Sequence, residues 1–197
     1  RREDVQAAID HLLADGRIRE GENGYKLQSP EEKDWENQRR GIDLRRGDAV
    51  RLRRELLKEA LSGLSVQDRR TFRVGIVVEG EPVVDGELDL WIEEATERRR
   101  GELRAESRES ANENRVTWVH EVSDETWQAL HEVHRSREMI RRRDTPNKSP
   151  VDVELLGEER ERQRRHESAA IQCLARDLGR GQVIFRGRIE DVRGGDL

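Results

Sequence analysis

The first residues of the chain change from a helical to a strand-like pattern. Apolar residues recur at three- and four-residue steps, which predicts an amphipathic helix that buries one stripe: Val5, Ala8, Ile9, Leu12 and Leu13. Gly16 ends this helix. Residues 17–20 and 25–28 then read as two strands, because "ENG" between them tolerates the positive φ of a tight turn. The pattern therefore predicts a helix followed directly by a β-hairpin.

A second helical region is predicted over residues 30–64. Ser29 followed by Pro30 is a helix start, since proline at the first helical position loses no hydrogen bond. The pattern breaks around "RRGIDLRRGD", where two glycines disfavour a helix interior. Beyond the break an apolar stripe returns, formed by Leu52, Leu56, Leu57, Ala60, Leu61 and Leu64.

Strand-like patterns dominate the next segment. Residues 70–93 are rich in β-branched side chains and contain an Asp85-Gly86 turn, which predicts two or three antiparallel strands. Residues 94–114 have almost no apolar side chain and are expected to form an exposed loop or a loosely held helix. The stretch "RVTWVHEV" then returns to a strand.

Two long charged helices and a hairpin follow. One helix is predicted from Ser123 to about Arg143, a second starts at Ser149-Pro150, and a hairpin turns around Gly187. The whole pattern predicts an α+β fold in two domains. Residues 1–64 would hold a partial winged-helix-like unit and a linker helix, and residues 65–197 an antiparallel-sheet unit with the two charged helices.

Charge is plentiful but evenly mixed. Charged residues make up 41% of the chain and apolar residues 32%, so much of it must be solvated helix. The 38 basic and 43 acidic residues are interleaved and give a net charge of -5, which provides no large attractive field for a polyanion. With a single cysteine and no apolar run near the roughly 18 residues of a membrane helix, we expect a cytoplasmic protein. A start inside a helix without an initiator methionine suggests a piece of a longer protein.

No motif predicts a catalytic, cofactor-binding or metal-binding residue. The chain has no G-x-x-x-x-G-K-[ST] sequence, and "GRGQVIFRG" follows a helix, which is typical of a helix end and a turn. His131 and His134 lie one helical turn apart, with Glu138 a further turn along, but zinc would need another ligand. A solvated helix face is the favoured interpretation, and a metal-dependent hydrolase around this pair is a third hypothesis. Cys173 fits a small core position better than a nucleophile.

The helix and hairpin near the start are more informative. An amphipathic helix followed at once by a two-stranded ribbon is the second half of a winged-helix unit, in which the helix enters a major groove and the ribbon touches the DNA backbone. Asp10 and Asp15 on the exposed side of the helix would repel phosphate. Arg17, Arg19 and Lys26 on the hairpin could still contact it. A protein-packing role is favoured, and DNA contact stays open.

The order of these elements resembles a known family. The stretches "VQAAIDHLLADGRIREGENGYKLQSPEEKDWENQ", "RTFRVGIVVEGEPV", "RVTWVHEV" and a helix ending in "REMIRRR" are similar to the region beyond the ATPase core in large P-loop proteins of bacterial BREX and Pgl phage-defence systems, the BrxC or PglY type. The resemblance implies a large cytoplasmic ATPase that works with other defence subunits, including a methyltransferase, to block phage replication. The nucleotide motifs of that family have no counterpart in this chain.

The leading hypothesis is therefore a non-catalytic interaction module that contacts the rest of its parent ATPase or other defence-system subunits. The alternative is a winged-helix DNA-binding module. No cofactor is expected in this part of the protein. The charged helices lack sustained heptads, so a long coiled coil is not expected, while a dimer through the faces near Leu130 or Leu174 stays open.

Overall fold

The computed structural model describes residues 2–15, 17–21, 24–27, 29–96, 99, 101–102, 105, 115–186 and 188–192, and of residues 2, 3, 19–21 and 26 only the backbone. Its helices are α1 (Arg2–Ala14), α2 (Pro30–Arg40), α3 (Arg46–Leu61), α4 (Asp124–Arg143) and α5 (Pro150–Leu178). Its strands are β1 (Ile18–Gly21), β2 (Gly24–Leu27), β3 (Ser65–Gln67), β4 (Thr71–Val78), β5 (Glu81–Val84), β6 (Leu88–Glu94), β7 (Arg115–His120), β8 (Gln182–Phe185) and β9 (Arg188–Asp191). The predicted α+β class is confirmed. Most of the predicted exposed segment 94–114, and Gly187, lie outside the described residues.

Serine caps set the starts of three helices, as their sequences predict. At α2 the Ser29 Oγ accepts the Glu32 N–H at 3.2 Å, and the Glu32 carboxylate accepts the Ser29 N–H at 2.7 Å. Ser123 and Ser149 each accept the N–H three residues on, at 3.2 and 3.1 Å, and so cap α4 and α5. Each cap satisfies a backbone donor that the first helical turn leaves without a partner. No helix in the described part of the chain is long and apolar enough to span a membrane.

The larger sheet is mixed, which corrects the predicted antiparallel arrangement. Its strands follow the order β3-β4-β6-β7-β8-β9, with β5 also paired to β4. Strand β6 runs parallel to both β4 and β7, while the remaining pairs are antiparallel. Side chains point to alternate faces in parallel and antiparallel strands alike, and β-branched residues favour both, so the signals that identify these strands do not set their directions.

Two glycines allow the chain to pass from β5 to β6. A Cβ on Gly75 of β4 would lie 2.9 Å from the backbone nitrogen of Gly86, and a Cβ on Gly86 would overlap the backbone of Gly75. The two backbones therefore touch where the segment leading into β6 crosses β4. Side chains at either position would prevent this approach and with it the parallel pairing of β4 and β6.

The chain divides into two compact units. The first consists of Arg1–Asp43 and Arg135–Arg162, and the second of Leu44–His134 and Gln163–Leu197. This division differs from the predicted boundary after residue 64, because α3 shares its core with the sheet and because α4 and α5 each contribute residues to both units.

The second unit buries the larger apolar core. Residues of α3, of two parallel strands and of the second-unit parts of α4 and α5 form it: Leu52, Leu56, Leu57, Ile76, Val78, Ile92, Leu130, Val133, Ala170, Leu174 and Leu178. The predicted stripe of α3 is thus buried at its first three leucines, whereas Ala60 and Leu64 are exposed. The core covers one face of β4 and β6 and includes Val78 and Ile92, at or near the carboxyl ends of these strands.

The first unit combines a small apolar core with a buried carboxylate. Trp35, Ile42, Met139, Leu155 and Leu156 form the apolar part. Next to them Glu159 is buried and accepts hydrogen bonds from Trp35 Nε1 at 3.0 Å, from Arg39 Nε at 3.1 Å and from Arg162 Nη1 at 3.3 Å.

The surroundings of Glu159 keep this buried carboxylate ionised. Burial raises the pKa of Glu159, but a hydrogen bond from Ser136, the charge of Arg162, the Trp35 N–H and the charge of Arg39 lower it further than burial raises it. The resulting pKa lies below the ordinary glutamate value. A buried Arg39 therefore has a charged partner at neutral pH.

Substitution of Glu159 tests how much this pair stabilises the protein. Glu159→Gln keeps the side-chain shape but removes the negative charge from the buried pair with Arg39, and should lower the free energy of unfolding by about 3–5 kcal/mol. Urea unfolding followed by circular dichroism at pH 7 measures the change. Exposed Glu154 on the same helix provides the control, since Glu154→Gln should stay within about 0.5 kcal/mol of the parent chain. Equal losses for the two variants would contradict a special role of the buried pair.

Candidate functional site

The residues predicted to contact phosphate lie on and beside the hairpin. Arg17 is exposed directly before β1, and its Nε lies 3.8 Å from Asp15 Oδ2. Arg19 and Lys26 stand opposite each other in the β1–β2 ladder, but their side chains lie outside the described residues. Of these three predicted contacts, Arg17 is the one with a described side chain, and it lies close to the carboxylate of Asp15.

The apolar stripe of α1 is not buried, which corrects its predicted role. Val5 is 59% exposed and Leu12 is also exposed, while on β2 Tyr25 is exposed and Leu27 is 83% exposed. Val5 and Leu12 are two helical turns apart on one face of α1, and Tyr25 and Leu27 share one face of the ribbon. We call these four side chains the α1–hairpin surface. A single helix and a two-stranded ribbon are too small to cover their own apolar residues, and no described residue of the first unit buries them.

A second polar site lies in the other unit, at the carboxyl ends of its parallel strands. Strands β4, β6 and β7 run in the same direction, so their ends meet at one edge of the sheet. The polar residues at these ends are Glu79, Glu93, Glu94 and His120. In open sheets with parallel strands this edge is where ligands are bound.

Arg53 from α3 joins these acidic residues. Its side chain is buried, its Nη2 contacts the Glu79 carboxylate, and its Nη1 lies 3.3 Å from Glu94 Oε2. The Arg53 Nε is buried and makes no hydrogen bond within the described residues. Glu93, also buried, is paired with Arg99 at 3.4 Å. We call Arg53, Glu79, Glu93, Glu94 and His120 the carboxyl-edge cluster.

Glu79 has a backbone conformation that is unusual for glutamate. Glu79 and Gly80 form the tight turn between β4 and β5, with φ values of 50° and 78°. Turns of this kind favour Asn, Asp or Gly at both positions because a longer side chain is disfavoured at positive φ. Glutamate at this position supplies the carboxylate that neutralises the buried Arg53.

Burial lowers the pKa values of Arg53 and His120. Burial is the main cause that lowers the pKa of Arg53, and the neighbouring Glu94 carboxylate opposes it, so the guanidinium stays charged at neutral pH. Burial and then the positive charge of Arg53 lower the pKa of His120 below its ordinary value of 6.5. His120 is therefore neutral at pH 7. The folded chain should lose stability as the pH falls below about 6.5, because the unfolded chain binds this proton more readily.

The hydrogen bonds of His120 identify its tautomer. Its Nδ1 lies 3.2 Å from the backbone oxygen of Glu121, and because a carbonyl oxygen can only accept, Nδ1 carries the hydrogen. Nε2 then carries the lone pair. This atom is buried and has no hydrogen-bond partner among the described residues.

A polar cleft of about 310 Å³ adjoins this histidine. Its walls include His120, Ser123, Asp177, Arg180, Gln182 and Asp191. Asp177 is buried, and its Oδ2 accepts hydrogen bonds from the Ser123 N–H at 3.0 Å, from the Ser123 hydroxyl at 3.1 Å and from the Thr126 hydroxyl at 2.6 Å. The carboxylate thus holds the start of α4 against the end of α5.

The predicted metal-binding positions are not brought together with further ligands. Among the described residues, no group of three or more His, Cys, Asp or Glu side chains is arranged to hold a metal ion. Glu138 instead accepts hydrogen bonds from Arg141 at 2.7 Å and Arg142 at 2.8 Å, and these guanidinium groups, Arg141 first, lower its pKa to about 2. Cys173 is half-buried on α5.

Sequence reasoning missed the carboxyl-edge cluster because its members are far apart in the chain. Arg53 comes from a helix, Glu79 follows β4, Glu93 and Glu94 end β6, and His120 ends β7. A signal was present in "GIVVEG", "LWIEE" and "WVHE", where charged residues follow directly after apolar strand residues. Its meaning depends on parallel strands, and the sequence pattern predicted antiparallel ones.

Removal of the Arg53 charge should change the protonation of His120. Arg53→Met keeps an unbranched stem without the guanidinium, and loss of the positive neighbour should raise the pKa of His120, because repulsion of its protonated form disappears. The pKa is measured by an NMR titration of the His120 C2–H signal.

Arg54 provides a matched control for this titration. It is the next residue of α3, pairs with Glu81 at 2.5 Å and lies 4.0 Å from the Glu79 carboxylate. Neither Arg54 nor Glu79 is among the groups that shift the pKa of His120, so Arg54→Met removes the same charge without removing a group that acts on His120. The His120 pKa should be unchanged in this variant. The same pKa in parent, Arg53→Met and Arg54→Met would show that burial alone controls His120.

No protein-family model matches the chain, and neither a curated protein nor a solved structure is found to be similar to it. Function must therefore be inferred from the residues of this chain and from the resemblance described above.

Proposed function

We propose that this chain is a protein-interaction module of a large phage-defence ATPase of the BREX or Pgl type, and that the α1–hairpin surface is where it docks. The observation that carries the proposal is the exposure of Val5, Leu12, Tyr25 and Leu27. The resemblance of "GYKLQSPEEKDW" and the neighbouring elements to that family supports the choice of parent protein.

The exposed apolar area gives a physical reason for association. Each fully buried Val or Leu side chain stabilises a folded or bound state by about 1.5–3 kcal/mol relative to exposure to water. Single exposed apolar residues are common, but several large apolar side chains exposed on two consecutive elements are a reason to expect a protein interface. A partner that covers this surface would bury these side chains, and the free energy of their burial would stabilise the complex.

The charges around the surface define the partner. Asp4 and Asp10 are exposed on α1 and Asp15 is exposed directly after it, and the nearby Arg17 is paired with Asp15. An apolar surface with an acidic rim fits a partner that has apolar side chains at its centre and basic residues around them. A helical surface of the parent ATPase meets this description best, because a helix and a ribbon complete a winged-helix-like unit by packing against further helices.

The same charges disfavour the alternative of DNA binding. Affinity for DNA comes largely from contacts between basic side chains and phosphate. Acidic residues on the exposed side of α1 would repel the phosphate backbone, and Arg17 is already close to a carboxylate. DNA binding by this module therefore ranks second.

Substitution of one exposed side chain tests the proposal. Leu27→Ser should weaken association with the ATPase core, or with the defence subunit that binds the module, by about tenfold, because a buried leucine at an interface is worth more than 1 kcal/mol. Val5→Ser should have a smaller effect in the same direction. Biolayer interferometry with each separately purified subunit measures the affinity.

Val153 on α5 is the matched control. It belongs to the first unit, is 57% exposed against 59% for Val5, and lies outside the α1–hairpin surface. Val153→Ser should leave association unchanged. Lack of binding to any subunit, or equal losses for Val5→Ser and Val153→Ser, would reject the proposed docking surface.

A DNA titration separates the alternative. If the chain binds duplex DNA with an affinity that falls steeply with salt, and Arg17→Ala reduces that slope, the DNA-binding alternative replaces the present proposal. Absence of DNA binding at low salt, together with binding to a subunit, supports the interaction module.

A further inference from the structure

We propose that the cleft beside the carboxyl-edge cluster binds an organic cation, a guanidinium or alkylammonium group. The cleft lies in the second unit, between the segment that follows β7 and the end of α5. The inference does not rest on the proposed function, because the α1–hairpin surface belongs to the first unit.

The cleft is rich in hydrogen-bond acceptors. Asp177 uses only its Oδ2 for the hydrogen bonds from Ser123 and Thr126, and its Oδ1 accepts none from the described residues. Asp191 accepts one hydrogen bond at Oδ1, from Gln182 at 2.8 Å. Both carboxylates therefore retain acceptor capacity that a ligand with several N–H groups would satisfy.

His120 is an independent indication of a ligand that donates hydrogen bonds. It lines the cleft and is only 1% exposed, yet its Nε2 has no partner among the described residues. Because Nδ1 donates to the Glu121 carbonyl, Nε2 can only accept. Buried acceptors without a partner are costly, so a site of this kind calls for a donor.

The balance of charge favours a cation over an anion. Asp177, Asp191 and the exposed Glu121 contribute three negative charges, and His120 is neutral at pH 7. The positive charge of Arg53, which acts on His120, is balanced by Glu79 and Glu94. Arg180 is the basic residue of the cleft wall, and it is exposed, so water and salt screen its charge. A metal ion is not the expected occupant, because no group of three metal-binding side chains is found within the described residues.

The size of the cleft limits the ligand. About 310 Å³ lies at the lower end of the range for small-molecule sites, roughly 300–1,000 Å³. A planar guanidinium with a short aliphatic stem fits this space, and a dinucleotide does not. The cation can be a free small molecule or the side chain of an arginine in a polypeptide, and both present the same group.

An NMR titration of the full chain tests the proposal. n-Propylguanidinium should shift the backbone amide signals of Ser123, Gly181 and Gln182 in a saturable way. N-propylurea is planar and similar in size but uncharged, and should bind at least about tenfold more weakly, since charge-assisted hydrogen bonds are about twice as strong as neutral ones. Equal binding of the two compounds, or no saturable shifts with n-propylguanidinium, would overturn the proposal.

Asp191 is the residue to replace, because Asp177 also holds the start of α4 and its loss would affect folding. Asp191→Asn should weaken n-propylguanidinium binding by up to about fivefold, the effect of an exposed ion pair. Glu190→Gln removes the same charge from the neighbouring residue of β9, whose side chain points to the opposite face, and should leave affinity unchanged. Equal effects of the two variants would contradict binding in this cleft.

A pair of peptides distinguishes the two sources of the cation. Acetyl-Gly-Arg-Gly-amide presents the guanidinium on a polypeptide, and the citrulline peptide of the same length lacks its charge. Tighter binding of the arginine peptide than of n-propylguanidinium supports a protein side chain as the ligand, and weaker binding supports a free small cation. An arginine peptide and a citrulline peptide of equal affinity would overturn the proposal.

Discussion

A buried guanidinium can be held in a protein only if carboxylates reach it, and Arg53 imposes this constraint on the second unit. Its partners, Glu79 and Glu94, come from the ends of two parallel strands, so those strands must finish at the same edge and in register with α3. The charge of Arg53 in turn helps to keep His120 neutral. The arrangement places an uncharged histidine beside a polar cleft, and the chemistry that we propose for the cleft depends on it.

Buried ions are the exception in a chain with 41% charged residues. Among the described residues, many charged side chains form exposed pairs, such as those between Glu138 and the arginines that follow it on α4. Such pairs contribute little to stability because water competes for both partners. Arg53 in one unit and Glu159 in the other are buried, and each has partners of opposite charge from distant parts of the sequence. Removing one partner of a buried pair costs far more stability than removing one partner of an exposed pair, so these two ions constrain the fold of their units most.

The two proposed surfaces differ in chemistry. The α1–hairpin surface is apolar with an acidic rim, and its expected partner is a protein that covers it. The cleft is small, polar and rich in acceptors, and its expected ligand is a single cationic group. Because they lie in different units, a substitution at one surface should leave the other unaffected, and either proposal can fail without the other.

Local signals in the sequence determined most of the elements of this fold. Serine caps and apolar periodicity predicted the starts of α2, α4 and α5, and turn residues predicted both terminal hairpins, because the interactions responsible lie within a few residues of one another. Strand direction, the exposure of Val5 and Leu12, and the meeting of Arg53 with Glu79, Glu94 and His120 were decided by the tertiary structure. Each of these depends on contacts between residues far apart in the chain. A pattern of apolar and polar positions predicts which face of an element is apolar, but only the packed structure decides whether another element covers that face.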